Sequence, residues 1–303
     1  MNPIDLQIQT TASDGKHSPA ECVEMAKQNG VHTIAITDHD TVAGVPEALA
    51  AGAKFGVRVI PGIEISVGDH GIHMLAIGID IENDALRAAM ERAAESRIRT
   101  AKAIVEKLNG GGFVVTWEDV LREAAGAVVV RPHIAEAVLK RPENREKLGG
   151  VTTKREFFET FFSDQGPYYV RHSTVTARDT IRLIHDAGGV AVWSHPPIPE
   201  FVGQCAVMEE FLKELITYGL DGLEVFSPSH TESDTACLDG LAERYHLLRS
   251  AGSDFHERHN RIDEPWPRPA STIGDYPTYG RSIDGIVGGI DQAFAGRRIA
   301  RGT

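Results

Sequence analysis

The sequence predicts an α/β fold, a barrel of strands wrapped by helices, and three observations carry that reading. Short β-branched runs alternate with amphipathic helical stretches, which is the pattern of successive strand–helix units. Polar and ionisable residues recur just past the ends of those runs, where a βα barrel builds its active site. The alternation breaks between about residues 83 and 165, where helical periodicity alone persists, and resumes afterwards.

Residues 4–9 alternate like a short strand and open the barrel. Ser18-Pro19-Ala20-Glu21 then carries a helix-start signature: a capping serine, proline at the first helical position and a glutamate that completes a capping box. Asn29-Gly30 ends that helix. Thr33-Ile34-Ala35-Ile36 is a buried strand running into Thr37-Asp38-His39-Asp40, and a further helix leads to the strand at 57–60, which ends at Pro61-Gly62-Ile63-Glu64. Another strand spans about 73–79. After the break, a helix ending at Ala187-Gly188-Gly189 feeds a strand that stops at Ser194-His195-Pro196, where proline bars its continuation. Residues 222–226 end at Ser227-Pro228-Ser229-His230, and residues 247–251 end at Gly252-Ser253-Asp254-Phe255-His256. Repeated units of this kind predict a parallel sheet, closed rather than open. Within the break, helices are expected over 85–108, 117–125, 131–140 and 152–162. The expected organisation is therefore a barrel from 1–82 and 166–303, with 83–165 a helical insertion over its mouth.

With 303 residues, 42% of them hydrophobic, the chain has ample material for a core. Its formal net charge of −12 argues against wrapping duplex DNA or lying on a membrane surface, both of which need a broad basic face. No apolar run approaches the roughly 20 residues of a membrane span, and the N-terminus has no signal-peptide profile. Cys22, Cys205 and Cys237 are few and scattered, so all three are expected as reduced thiols in a cytoplasmic protein.

The site candidates gain weight as a set. Asp38-His39-Asp40 alone reads as a charged loop, Glu64 as a turn carboxylate, and His73 as a satisfied core histidine. Asp254 and His256 are stronger, because strand alternation points both to one side. Imidazoles and carboxylates converging on one barrel face would repel or go unsatisfied without a cation. Arg131 and His133 stand at a predicted helix N-terminus, which suits an anion.

The ordered motifs Asp5-Leu6-Gln7-Ile8-Gln9-Thr10, Ser13-Asp14-Gly15, Thr37-Asp38-His39-Asp40, Gly62-Ile63-Glu64, Ile72-His73-Met74, Ser194-His195-Pro196 and Gly252-Ser253-Asp254-Phe255-His256 resemble the PHP (polymerase and histidinol phosphatase) family over most of the chain. The insertion with Arg131-Pro132-His133 resembles its stand-alone phosphoesterase branch. The resemblance implies a distorted (β/α)7 barrel holding two or three divalent ions: manganese, iron or zinc. One ion would be held by positions 7 and 9 with Glu64 and Asp254, a second by Glu64, His73 and His195, and a third by Asp14, His39 and His256. His195 and Asp254 would also take part in catalysis, and Arg131, His133 and His230 would meet the substrate phosphate.

The implied reaction is hydrolysis by ion-activated water. It would remove the 3′-phosphate of nucleoside 3′,5′-bisphosphates, giving AMP from the adenosine compound, or act on short 5′-phosphorylated RNA. Histidinol-phosphate hydrolysis is the alternative within the family.

Gln7 and Gln9 depart from the family pattern, which has histidine at both places. A glutamine offers an ion only its carbonyl oxygen, a neutral ligand better matched to magnesium or manganese than to zinc. That departure leaves open a catalytically weakened nucleotide- or phosphate-binding protein.

Overall fold

The computed structural model describes residues 1–68, 71–162, 166–168, 170, 175–196, 204–260 and 266–301. The chain packs as two compact units, Met1–Ala88 with Thr174–Thr303, and Ala89–Ser173.

The first unit is built on seven strands: β1 (Ile4–Asp5), β2 (Thr33–Ile36), β3 (Arg58–Ser66), β4 (His73–Ile77), β5 (Val190–Ser194), β6 (Gly222–Phe226) and β7 (Leu248–Ala251). They are hydrogen-bonded in sequence order. The Leu6 amide donates to the Ala251 carbonyl at 2.9 Å, and Ile8 bridges Phe255 in parallel, so the last strand returns to the first and the barrel closes. Helices α1 (Pro19–Gln28) and α2 (Val45–Phe55) wrap this unit. The Ser18–Glu21 capping box forms as expected, with both reciprocal hydrogen bonds.

The sheet is not wholly parallel. β4 runs antiparallel to both β3 and β5. The link between β3 and β4 is far shorter than the dozen or so residues that a parallel crossover requires, so the chain turns back on itself. The reversal has a functional consequence. It sets His73, the first residue of β4, opposite Ser66 and Ser194, the last residues of its neighbours. A residue that starts a strand thereby reaches the end of the barrel where the other strands finish.

The second unit is helical, as the periodicity predicts. Its elements are most of α3 (Asp84–Gly110), α4 (Trp117–Ala124), α5 (Arg131–Leu139), the short α6 (Arg145–Leu148) and α7 (Lys154–Phe157), and a π-helical turn at Phe158–Phe162. Ile104, Leu108, Phe113, Val120, Ile134, Val138, Phe157 and Phe162 are buried together as its core.

The chain then returns to the barrel with α8 (Ala177–Asp186), α9 (Cys205–Thr217), α10 (Glu232–Arg244) and α11 (Ile286–Arg301). Here one expectation is overturned. Cys205 and Cys237 form a disulfide between α9 and α10, with Cα atoms 6.0 Å apart, and only Cys22 is free. These helices flank β6 in succession, and that topology brings together two cysteines that lie 32 residues apart in sequence. Among the described residues, no helix is long and apolar enough to cross a membrane.

Candidate metal centre

Glu64 lies near the end of β3 and His73 opens β4, while the other candidate ligands stand beyond strand ends, in turns that buried side chains hold in place. After β1 the chain stays extended through Gln7 and Gln9, then turns sharply, with the Ser13 and Gly15 amides donating to the Thr10 carbonyl. A Cβ at Gly15 would lie 2.4 Å from the Gln9 carbonyl oxygen, so the turn requires glycine there. Asp38, at the end of β2, clamps this turn: it accepts from the Thr10 amide at 2.7 Å, the Thr10 hydroxyl at 2.8 Å and the Ser13 hydroxyl at 2.7 Å. Asp14 is thus fixed beside the β2 loop that bears His39. Asp40 accepts from the Ser66 amide at 2.9 Å and ties that loop to the end of β3, next to Glu64.

Glu64 is the fully buried hub. Its Oε1 accepts from His73 Nδ1 at 2.9 Å, His195 Nε2 at 3.0 Å and the Ser194 hydroxyl at 3.2 Å. Its Oε2 accepts from the side-chain amides of Gln9 at 2.6 Å and Gln7 at 3.2 Å. His39 Nδ1 stands 3.6 Å from the same oxygen, beyond a good hydrogen bond, and is buried without a partner among the described residues. Four imidazoles form a continuous row: His256 to His39 at 6.3 Å between ring centroids, His39 to His73 at 5.1 Å, and His73 to His195 at 5.2 Å.

Two sets of donor atoms converge here, Asp14 with His39 and His256, and His39 with Glu64 and His73; within each set the atoms lie within 4.8 Å of one another. His195 joins the second through its shared Glu64 oxygen. His256 Nδ1 donates to the Asp254 carbonyl at 2.7 Å, while its Nε2 faces Asp14 at 3.5 Å. A ring anchored through one nitrogen with the other aimed at a carboxylate is the usual posture of a metal-binding histidine. The unpartnered His39 nitrogen and these mixed imidazole–carboxylate sets fit divalent ions. The sets do not gather Asp254, whose half-exposed carboxylate lies 3.8 Å from His256 Nδ1. The glutamines do not fit the expected first position, because both turn amide nitrogen, not oxygen, toward Glu64.

The electrostatics describe a site that wants positive charge. Burial alone would raise the Glu64 pKa, but His39 and His73, with hydrogen bonds from His195 and His73, hold its carboxyl well below the usual range. Burial would lower His195 and His256. The hydrogen bond and charge of Glu64 push His195 up to about 9, and Asp14 and Asp254 push His256 up to about 9. In effect protons stand in for a cation.

Two ligand candidates have left-handed backbones, His195 at φ 31° and Asp254 at φ 47°. Such conformations cost of order 1–3 kcal/mol each and persist only where neighbours enforce them. The enforcing groups are two buried carboxylates that the sequence reading did not single out. Glu224 on β6 accepts from the His195 amide at 2.8 Å. Asp5 on β1 accepts from the Ser253 amide at 2.9 Å and the Gly274 amide at 2.7 Å. The available signal was an acidic residue inside each of two otherwise apolar strands.

His230 stands just before α10 with its ring fully buried. Nδ1 lies 3.0 Å from the Val225 carbonyl, and burial lowers its pKa to about 4, so the ring is neutral with Nε2 bare. In the helical unit Arg131 opens α5 with its guanidinium 5.7 Å from the Phe158 ring centroid. His133 is buried, and its Nδ1 accepts from the Val130 amide at 3.3 Å.

A model of the PHP domain matches residues 5–95. The chain is 33% identical to the 5′-3′ exoribonuclease Rnm of Salmonella typhimurium over 84% of this chain and 85% of that protein. It is 31% identical to the 3′,5′-nucleoside bisphosphate phosphatase of Chromobacterium violaceum, over 84% of this chain and 88% of that one. Among solved structures, a putative metal-dependent phosphoesterase of Bifidobacterium adolescentis superposes with a TM-score of 0.79 at 30% identity, covering 96% of both chains.

Proposed function

This chain belongs to the PHP family, and from that premise we propose that it removes the 3′-phosphate of nucleoside 3′,5′-bisphosphates or trims short 5′-phosphorylated RNA. It is a metal-dependent phosphoric ester hydrolase with a closed seven-stranded barrel. The observation that carries the reading is the convergence of Asp14, His39, Glu64, His73, His195 and His256 at one barrel end, where strand ends and the start of β4 meet.

In this reading Asp14, His39 and His256 hold one divalent ion, and Glu64, His73 and His195 hold another. The imidazole-rich donor sets suit manganese, iron or zinc. Ions bound there lower the pKa of a water and neutralise the transferring phosphate. The chain's own residues do the rest. Glu224 and Asp5 keep the strained His195 and Asp254 turns in place before substrate arrives. Asp254, with its exposed carboxylate, accepts the proton of the attacking water at Oδ1. His195 aims its imidazole through the Glu64 hydrogen bond. Arg131 and His133 bind phosphate oxygens of the substrate, and His230 donates to one once its Nε2 has taken up a proton.

The test is phosphate release from adenosine 3′,5′-bisphosphate with manganese, run beside histidinol phosphate and a short 5′-phosphorylated RNA. Turnover of the bisphosphate or the RNA is the expected result. Preference for histidinol phosphate would move the protein to the other branch. A second reading, a phosphate-binding protein of weakened catalysis, draws on the two glutamine amides seated on Glu64. It would show as binding with no turnover under any metal.

A further inference from the structure

We propose that the Gln7 and Gln9 amides take the place of one metal ion, so that this chain holds two divalent ions and not three. The inference rests on the metal-dependent reading above and goes beyond it to the number and placement of the ions. Glu64 divides its two oxygens: Oε1 faces the histidines of β4 and β5, and Oε2 faces the glutamines.

An ionised carboxylate only accepts hydrogen bonds, so each glutamine can face Oε2 only with its NH2 group. The Gln9 amide is tied at both ends, its nitrogen 2.6 Å from Glu64 Oε2 and its oxygen 3.3 Å from the Ser13 hydroxyl. The Gln7 amide gives its protons to Glu64 at 3.2 Å and to the Ser194 hydroxyl at 3.0 Å. Its oxygen is left buried with no partner among the described residues. To present oxygen to an ion held at Glu64 Oε2, both amides would have to turn over and surrender charge-assisted bonds to Glu64. Gly252 packs so close that a Cβ there would sit 2.5 Å from Gln7 Cβ, which fixes where the Gln7 side chain starts. Asp254, the remaining member of the expected first set, stands outside both clusters of converging donors. Two N–H donors thus supply the positive potential that Oε2 would otherwise take from an ion.

Metal-free protein, reloaded with excess manganese and freed of unbound ion, should carry two ions per chain by mass spectrometry. Gln7→His with Gln9→His should raise the count to three. Anomalous diffraction of the unmodified protein should place no ion within bonding distance of Gln7 or Gln9. Three ions in the unmodified protein, fewer than two, or an ion bonded to either glutamine overturns the proposal. If the double variant does not fold, the count and the ion positions in the unmodified protein decide alone. Phosphate release from the same preparation is scored separately: two ions without turnover supports this inference while sinking the proposed activity, and three ions with turnover does the reverse.

Discussion

His73 and His195 sit on antiparallel neighbours, their rings 5.2 Å apart, and both donate to one oxygen of Glu64, at 2.9 and 3.0 Å. One residue opens its strand and the other follows the end of its own. They meet because β4 is reversed. Glu64 reaches them from β3 and, through its second oxygen, reaches the segment after β1, so one buried carboxylate joins donors from three other parts of the barrel.

This arrangement sets a pH dependence in the metal-free protein. His195 and His256 are both raised from the ordinary histidine value of 6.5 to about 9. A raised folded-state pKa contributes stability that is complete below the unfolded value and is lost as pH climbs through the folded one. The melting temperature of chelator-treated protein should therefore fall as pH rises from about 6.5 to about 9. Manganese affinity should rise over the same window, because protons and ions compete for the same nitrogens. A flat melting profile together with pH-independent affinity would contradict the charge balance described here.

The Glu224 carboxylate should matter for stability and for one metal position together. Glu224→Leu leaves the His195 amide buried without an acceptor, at a cost of about 1–3 kcal/mol in chemical denaturation. Metal affinity should fall as well, by about 10- to 100-fold, as for other groups that orient a ligand. Glu224→Gln keeps an acceptor oxygen and should restore most of both. Equal losses in the two variants would show that the hydrogen bond to His195 is not what counts.

Arg131→Ala should weaken binding of a 5′-phosphorylated ligand by about 1.5–3 kcal/mol, the range for hydrogen bonds to charged groups. Isothermal titration with AMP measures it directly. Unchanged affinity would mean that Arg131 does not meet the phosphate.

Thiol counting checks the bond between α9 and α10. Protein unfolded without reductant should titrate one thiol, Cys22, with Cys205 and Cys237 appearing only after reduction. Closing a loop of that length stabilises by roughly 3–4 kcal/mol in the chain-entropy model, so reduction should lower the denaturation midpoint. Three titratable thiols before reduction would mean that the bond is absent.

Much of this architecture is legible in local patterns. The Ser18 capping box, the helical stretch after residue 83, and polar residues just past Ile36, Phe226 and Ala251 each depend on a few consecutive residues, and each forms where it is expected. The resemblance of the ordered motifs to the PHP family marks Asp14, His39, Glu64, His73, His195, Asp254 and His256 as a set. What tertiary structure decided depends on partners far apart in the chain. The reversal of β4 is a matter of which edges pair, and it turns His73 from the start of an apolar strand into part of the site. Cys205 meets Cys237 because two helices flank one strand. Glu224 and Asp5 look like misplaced acids until their acceptors find the amides of His195 and Ser253. Gln9 reads as a poor metal ligand on its own. Its amide proton finds Glu64, 55 residues away, because a buried carboxylate oxygen must be satisfied by whatever donor the fold delivers.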